Sequence, residues 1–115
     1  MKIKKLKKII KKVFKEHGLS QNHAKLFSDA LINAELVVAP LHGLSRLKMY
    51  CDRIKHKIIN PKPKIKIKKI SQSISHIDAN NSMGFVSASI GINVAIKNAK
   101  KTGIGLVAVK NSGHY

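Results

Sequence analysis

The apolar run Ile104–Val109 limits the fold most, because it is nearly unbroken and rich in β-branched residues. Such a run predicts a buried parallel strand. A shorter strand is predicted at Ile74–Asp78, and a helix is predicted between the two, from a turn and cap at 80–82 to about Lys101. Strand, helix and strand then form a right-handed crossover unit, which makes the chain an α/β protein. The helix is expected to bury its apolar stripe, which consists of Phe85, Ala88, Ile92, Ala95, Ile96 and Ala99.

The first sixty residues are predicted to be helical. Residues 2–16 carry apolar side chains at helical spacing with lysines on the opposite side, and Gly18 is a natural helix stop. Ser20 can cap a second helix that runs to about Val38, because Pro40 prevents its continuation. The apolar positions that define the two helices are Ile3, Leu6, Ile10, Val13 and Phe14, then Phe27, Ala30, Leu31, Ala34 and Val38.

A third helix is predicted to start near Gly43, and it carries the most informative side chains. His42, Arg46 and Tyr50 are spaced four apart and share one stripe. A guanidinium can clamp a carboxylate with two parallel hydrogen bonds, and the first amides of a helix attract anions. The stretch therefore predicts a cradle for a small carboxylate. The other stripe is apolar and is expected to face the core, with Leu44, Leu47, Cys51, Ile54 and Ile58.

Composition divides the chain into three parts. Residues 1–60 form the helical segment, residues 61–70 a linker and edge strand with alternating Ile and Lys, and residues 71–115 the start of an α/β domain. Ligands bind outside the carboxyl ends of strands in open α/β sheets, which is where Asn111, Ser112 and His114 stand. The sequence stops directly after a strand that is expected to be buried. We therefore expect the front part of a longer protein or a truncated copy.

The net charge of +18 makes a small nucleic-acid-binding module the alternative function. Arg46 and Arg53 are the two arginines among 23 basic residues, the lysines are spread along the chain, and aromatic residues make up 4%. Abundant Lys, Ile and Asn together are typical of an A+T-rich coding sequence, which favours lysines that are simply solvated over lysines that bind phosphate.

The other composition data concern the compartment and the kind of site. A single Cys fits a reducing cytoplasm, and no apolar run is long enough to span a bilayer. The six His and five acidic residues show no metal-ligand spacing, and no glycine-rich phosphate loop is present.

Several motifs, taken in order, resemble the amino-terminal third of the malate/L-lactate dehydrogenase family. These motifs are Ala34-Glu35-Leu36, His42-Gly43-x-x-Arg46-x-x-x-Tyr50, Ile58-Ile59-Asn60-Pro61, Gly103-Ile104-Gly105-Leu106-Val107-Ala108-Val109 and Asn111-Ser112-x-His114. The resemblance covers essentially the whole chain. It implies a helical segment followed by the first strand-helix-strand unit of a fold unlike the usual Rossmann domain, and normally a homodimer.

The resemblance also implies an oxidoreductase that moves a hydride between NAD or NADP and a small 2-hydroxy or 2-oxo acid such as malate, lactate or sulfolactate. It assigns His42 and His114 to acid/base catalysis or substrate polarisation, Arg46 to the substrate carboxylate and Tyr50 to the nearby pocket. Family members hold most of the cofactor with segments further along the chain. The 115 residues alone are therefore expected neither to bind nicotinamide tightly nor to turn over.

One departure from the family concerns substrate specificity. Pro40 and Leu41 stand where the family commonly has Asp and Ser, so a hydroxyl that could touch substrate or cofactor is absent. An inactive truncated relic that only dimerises is the remaining alternative to an enzyme.

Overall fold

The computed structural model describes residues 2–37 and 43–114. The chain divides into two compact units, Met1–Lys62 and Pro63–Tyr115. The first unit is helical, and the second is a three-stranded sheet with one helix. This arrangement confirms the predicted α/β class, with a helical segment followed by a strand-helix-strand unit.

The first two helices follow the rules that predicted them. Helix α1 spans Ile3–Glu16 and helix α2 spans Gln21–Leu36. Ser20 caps α2, since its hydroxyl accepts a hydrogen bond of 3.2 Å from the His23 amide. Gly18 separates the helices with a φ of +97°, a left-handed conformation that glycine adopts without steric penalty. The predicted end of α2 at Val38 and its cause, Pro40, lie outside the described residues.

The third helical stretch differs from the prediction at both ends. It begins as a 3-10 helix, Leu44–Arg46, and continues as helix α3, Leu47–Lys55. Lys57 then adopts a φ of +61°, and the chain doubles back so that the amides of both Ile58 and Ile59 bond the Arg53 carbonyl. The turn buries Ile59 and leaves Ile58 64% exposed, so the prediction that Ile58 faces the core is wrong.

Aromatic side chains hold the three helices of the first unit together. The ring of Phe27 on α2 contacts Phe14 on α1 edge-on at a centroid distance of 5.3 Å, and Tyr50 on α3 at 4.8 Å. Both geometries are of the kind that aromatic pairs prefer. Phe14 and Phe27 are fully buried, so this cluster is the centre of the unit's core.

The second unit contains strands β1 (Lys66–Lys69), β2 (Ile74–Ser82) and β3 (Leu106–Ser112), in the order β1-β2-β3. Strand β1 is antiparallel to β2, whereas β2 and β3 are parallel. Helix α4, Gly84–Thr102, connects the two parallel strands, as predicted.

The face that α4 buries is not the predicted one. Ile92 and Ile96 of the predicted stripe are 58% and 47% exposed. The residues that α4 buries are small or polar for the most part: Gly84, Val86, Ser87, Gly91 and Asn98. Glycine lets the helix start lie close to the strand end at Gly84, where a Cβ would be 2.7 Å from the Gly113 oxygen, whereas a Cβ on Gly91 would be 3.6 Å from a methyl group of Val109.

Two further predictions in the second unit are wrong. Asn80 and Asn81 lie within β2, and not in a turn, because positive φ angles of 51° and 58° let them form an irregularity between Asp78 and Ser82. Asn tolerates this conformation in strands as well as in turns. Strand β3 is not buried on both faces, because α4 covers one face, and residues such as Leu106 on the other are exposed.

Candidate functional site

Arg46 is held at the start of α3 by a contact with the end of α2. The Glu35 carboxylate accepts a hydrogen bond of 3.1 Å from the Leu44 amide, the first amide of the 3-10 helix. Gly43 is buried against α2, and a Cβ there would stand 3.0 Å from the Glu35 backbone nitrogen. Glycine at 43 and a carboxylate at 35 therefore fix where the turn that carries Arg46 begins.

The Arg46 side chain is half-buried, and its Nη1 lies 3.7 Å from the Met49 sulfur. Half-burial strengthens a guanidinium's attraction for an anion, because the local dielectric is lower than in water. The planar fork of Arg suits a carboxylate better than the point charge of Lys does.

Tyr50 does not stand beside Arg46 in an exposed row. It is 3% exposed and packs against Phe27. Burial raises the pKa of the Tyr50 phenol, while the positive charges of Arg46 and Arg53 act in the opposite direction. Residues 47–55 are α-helical, so Tyr50 stays one turn after Arg46, but its ring lies on the side of α3 that packs against Phe27. Its assignment to a substrate pocket stays a prediction.

The structure describes one of the two predicted histidines. His42 lies outside the described residues. His114 follows β3 in the second unit and is exposed. Its backbone is in close contact with the first turn of α4, since a Cβ on Gly84 would lie 2.6 Å from the His114 carbonyl carbon. Glycine at 84 thus allows the strand end and the helix start to meet.

The same contact tests whether dinucleotide phosphate fits at the β2–α4 junction. A strand that leads into a helix N-terminus is a common place for phosphate. Here the first turn of α4 faces the backbone carbonyls of Gly113 and His114, and a Cβ on Gly84 would lie 2.7 Å from the Gly113 oxygen. Carbonyl oxygens at this position repel phosphate, so the junction does not fit a dinucleotide.

Two other features bear on chemistry. Among residues 2–37 and 43–114, no three His, Cys, Asp or Glu side chains gather closely enough to hold a metal ion. Cys51, predicted to be a core residue, is half-buried, and burial raises the pKa of its thiol.

Within the described residues, 2–37 and 43–114, no helix has the length and apolar character needed to cross a membrane.

Comparison with known proteins gives the family. The sequence profile of malate/L-lactate dehydrogenases matches residues 1–115. The chain belongs to this family. The resemblance drawn from the sequence motifs is therefore confirmed.

Individual members of the malate/L-lactate dehydrogenase family agree in sequence and structure. The L-sulfolactate dehydrogenase of Methanocaldococcus jannaschii is 38% identical over 109 residues, which are 95% of this chain and 32% of that protein. The solved structure of malate dehydrogenase from Pyrococcus horikoshii matches 98% of this chain and 32% of its own, with a TM-score of 0.94 and 36% identity. A more distant relative, ureidoglycolate dehydrogenase (NAD(+)) of Escherichia coli, is 28% identical over 109 residues, which are 95% of this chain and 31% of that protein. The chain thus spans about a third of the length of these relatives, at their N-terminal part.

Sequence reasoning missed the part that Glu35 plays. Glu35 lies exposed on α2, and its carboxylate accepts a hydrogen bond from the first amide of the turn that carries Arg46. The available signal was an acidic residue near a helix end followed by the His42-Gly43 pair, since glycine before a helix allows close approach of another chain segment.

Proposed function

We propose that this chain supplies the acid-binding and proton-transfer groups of a dehydrogenase that acts on small 2-hydroxy acids with NAD or NADP. The observation that carries the proposal is Arg46, half-buried and fixed by the Glu35–Leu44 hydrogen bond, in a chain of the malate/L-lactate dehydrogenase family. Malate, lactate and sulfolactate share a carboxylate next to a carbon that bears a hydroxyl. One guanidinium is enough to orient that end of each acid.

In the oxidative direction, the substrate loses a proton from its hydroxyl and a hydride from the carbon that bears it. Arg46 holds the carboxylate by two parallel hydrogen bonds, which fixes the orientation of that carbon. One of the two imidazoles, His42 or His114, accepts the hydroxyl proton, since an imidazole near neutral pH can both take and return it. A nicotinamide, which other segments would hold, would supply the hydride acceptor.

The remaining parts of the proposal rest on separate observations. The NAD(+) in the name of the E. coli relative supports a nicotinamide cofactor. A single Cys, which excludes a disulfide within the chain, supports a cytoplasmic location.

The proposed partner is a second copy of the chain. Ile92 and Ile96 on the outer side of α4 provide apolar surface that this copy can bury, in keeping with a homodimer. Nucleic acid is not proposed as a partner, because the aromatic share of 4% provides no stacking platform.

A chimera tests the proposal. In it, residues 1–115 of this chain replace the matching N-terminal segment of the P. horikoshii malate dehydrogenase. Loss of a two-bonded ionic contact is worth roughly 3 kcal/mol, so Arg46→Ala should lower kcat/KM for malate about 100-fold, mainly through KM.

Arg53→Ala is the matched control, because Arg53 is the other arginine of the chain and lies one helix further on, within α3. We expect kcat/KM of this variant to stay within about threefold of the parent chimera, because Arg53 is half-buried like Arg46 but has no proposed contact with the substrate. Equal losses in the two variants, or no loss in either, would refute the role of Arg46 as carboxylate clamp.

A further inference from the structure

A buried serine on α4 and a half-buried serine on β3 join the end of that strand to the first turns of the helix. The hydroxyl oxygens of Ser87 on α4 and Ser112 on β3 are 2.6 Å apart. Ser87 also lies 2.8 Å from the Gly84 carbonyl oxygen, and Ser112 lies 2.9 Å from that of Gly113. The two hydroxyl protons can satisfy two of these three contacts at a time, and Ser87 is fully buried. Burial of the Ser87 hydroxyl costs desolvation free energy, which its hydrogen bonds must offset.

The glycines on either side bring the two backbones together. The Gly113 amide donates a hydrogen bond of 3.0 Å to the Ser82 carbonyl, which continues the strand pairing to the last residue before His114. A Cβ on Gly113 would lie 3.0 Å from that same oxygen and 3.3 Å from the Gly84 nitrogen. With Gly84 against the His114 carbonyl, the backbone at 113 and 114 is enclosed on two sides.

We propose that Ser87, Ser112 and Gly84 are positioning residues that hold the backbone of His114 against the first turn of α4. The inference rests on the proposed function, in which His114 is one of two candidate proton-transfer groups. Such a group must keep its place within a fraction of an ångström, because a displacement of about 1 Å can cost a factor of about 100 in rate. The serine pair restrains the strand end that carries this group.

Hydrogen exchange of the 115-residue chain tests the restraint without any activity. The measured quantity is the exchange rate of the Gly113 amide divided by the mean rate of the β2 amides, followed by NMR. Ser112→Ala should raise this ratio about fivefold, the factor that corresponds to one ordinary hydrogen bond. Dividing by the β2 rates removes any change in the stability of the whole unit.

Ser75→Ala is the matched control. Ser75 is also buried, at 3% exposed, and accepts a hydrogen bond of 3.2 Å from Asn98, toward the other end of the sheet. Its loss should leave the Gly113 ratio unchanged within about twofold. A ratio that does not rise in Ser112→Ala, or that rises equally in Ser75→Ala, would overturn the proposal.

The chimera then links the restraint to catalysis. Ser112→Ala should lower kcat about tenfold with KM nearly unchanged, whereas Ser112→Thr, which keeps the hydroxyl, should restore kcat. If the exchange ratio rises but kcat of an active chimera stays the same, the restraint stands and His114 is not the proton-transfer group. That outcome would contradict the proposed role of His114 but not that of Arg46, which the Arg46→Ala variant tests separately.

Discussion

The same substitution at two glycines of α4 should change stability in opposite directions. Gly91 lies in the interior of the helix, where glycine is unfavourable relative to alanine. A Cβ there would lie 3.6 Å from Val109, 3.8 Å from Val107 and 4.0 Å from Ile77, which are ordinary van der Waals distances. Gly91→Ala should therefore raise the free energy of unfolding by about 1 kcal/mol, because it gains helix propensity without a clash.

Gly84→Ala should do the reverse. Its Cβ would lie 2.6 Å from the His114 carbonyl carbon and 2.7 Å from the Gly113 oxygen, and both atoms belong to the backbone. The strand end must move to admit the methyl group, so we expect a loss of about 1 to 3 kcal/mol, as for other overpacked sites. The position is also the first of the helix, where alanine gains little propensity.

Urea unfolding followed by NMR measures both effects. The chain contains no Trp, and helices of both units contribute to circular dichroism, so amide signals of β2 and α4 are the suitable probe. Gly103→Ala is the control for backbone strain alone, because Gly103 has a φ of +88° and no atom within 4 Å of a Cβ. Stabilisation by Gly84→Ala would refute the close contact of the first turn of α4 with the end of β3, and destabilisation by Gly91→Ala would refute the ordinary van der Waals spacing at Gly91.

Two further predictions concern the helical unit. Tyr50→Phe should leave the free energy of unfolding within about 0.5 kcal/mol of the parent, whereas Tyr50→Leu should lower it by about 1 to 3 kcal/mol, because the contact with Phe27 is lost. Urea unfolding of the first unit measures both values, and equal losses in the two variants would show that the ring is not the stabilising group. Hydrogen bonds from Lys25 and Lys7 hold the pKa of Asp29 below its ordinary value of 3.8, so its contribution to stability is present above that pH and is lost as pH falls through the lowered value. Asp29→Asn should therefore flatten the decline of stability below about pH 4 in an acid titration, and an unchanged decline would contradict this.

Local rules predicted the helices of the first unit well. The cap at Ser20 and the stop at Gly18 depend on neighbours in the sequence, so the pattern alone places α1 and the start of α2. The position of Tyr50 could not be predicted in this way. It depends on the contact of its ring with Phe27, which lies on another helix and 23 residues earlier in the sequence.

In the second unit, side-chain packing determines which face of α4 is buried, and the sequence pattern alone did not predict that face. Helix α4 carries apolar residues on more than one side, so the sequence favoured the side with the larger side chains, including Ile92. The sheet instead packs against the side with Gly91 and Ser87, where the strands supply the apolar side chains, Ile77, Val107 and Val109. The strand-helix-strand order was predictable because the apolar run of β3 and the helix before it are separated by Gly103.

A crystal structure of the chimera with a 2-oxo acid bound tests the role of Arg46 most directly. We expect the acid's carboxylate to accept two hydrogen bonds of about 2.9 Å from the Arg46 guanidinium, the usual length for a charged pair. We also expect the 2-oxo oxygen to lie within about 3.2 Å of an imidazole nitrogen of His42 or His114, the reach of proton transfer. A bound acid whose carboxylate contacts neither Arg46 nor its 3-10 turn would contradict the role of Arg46 as carboxylate clamp.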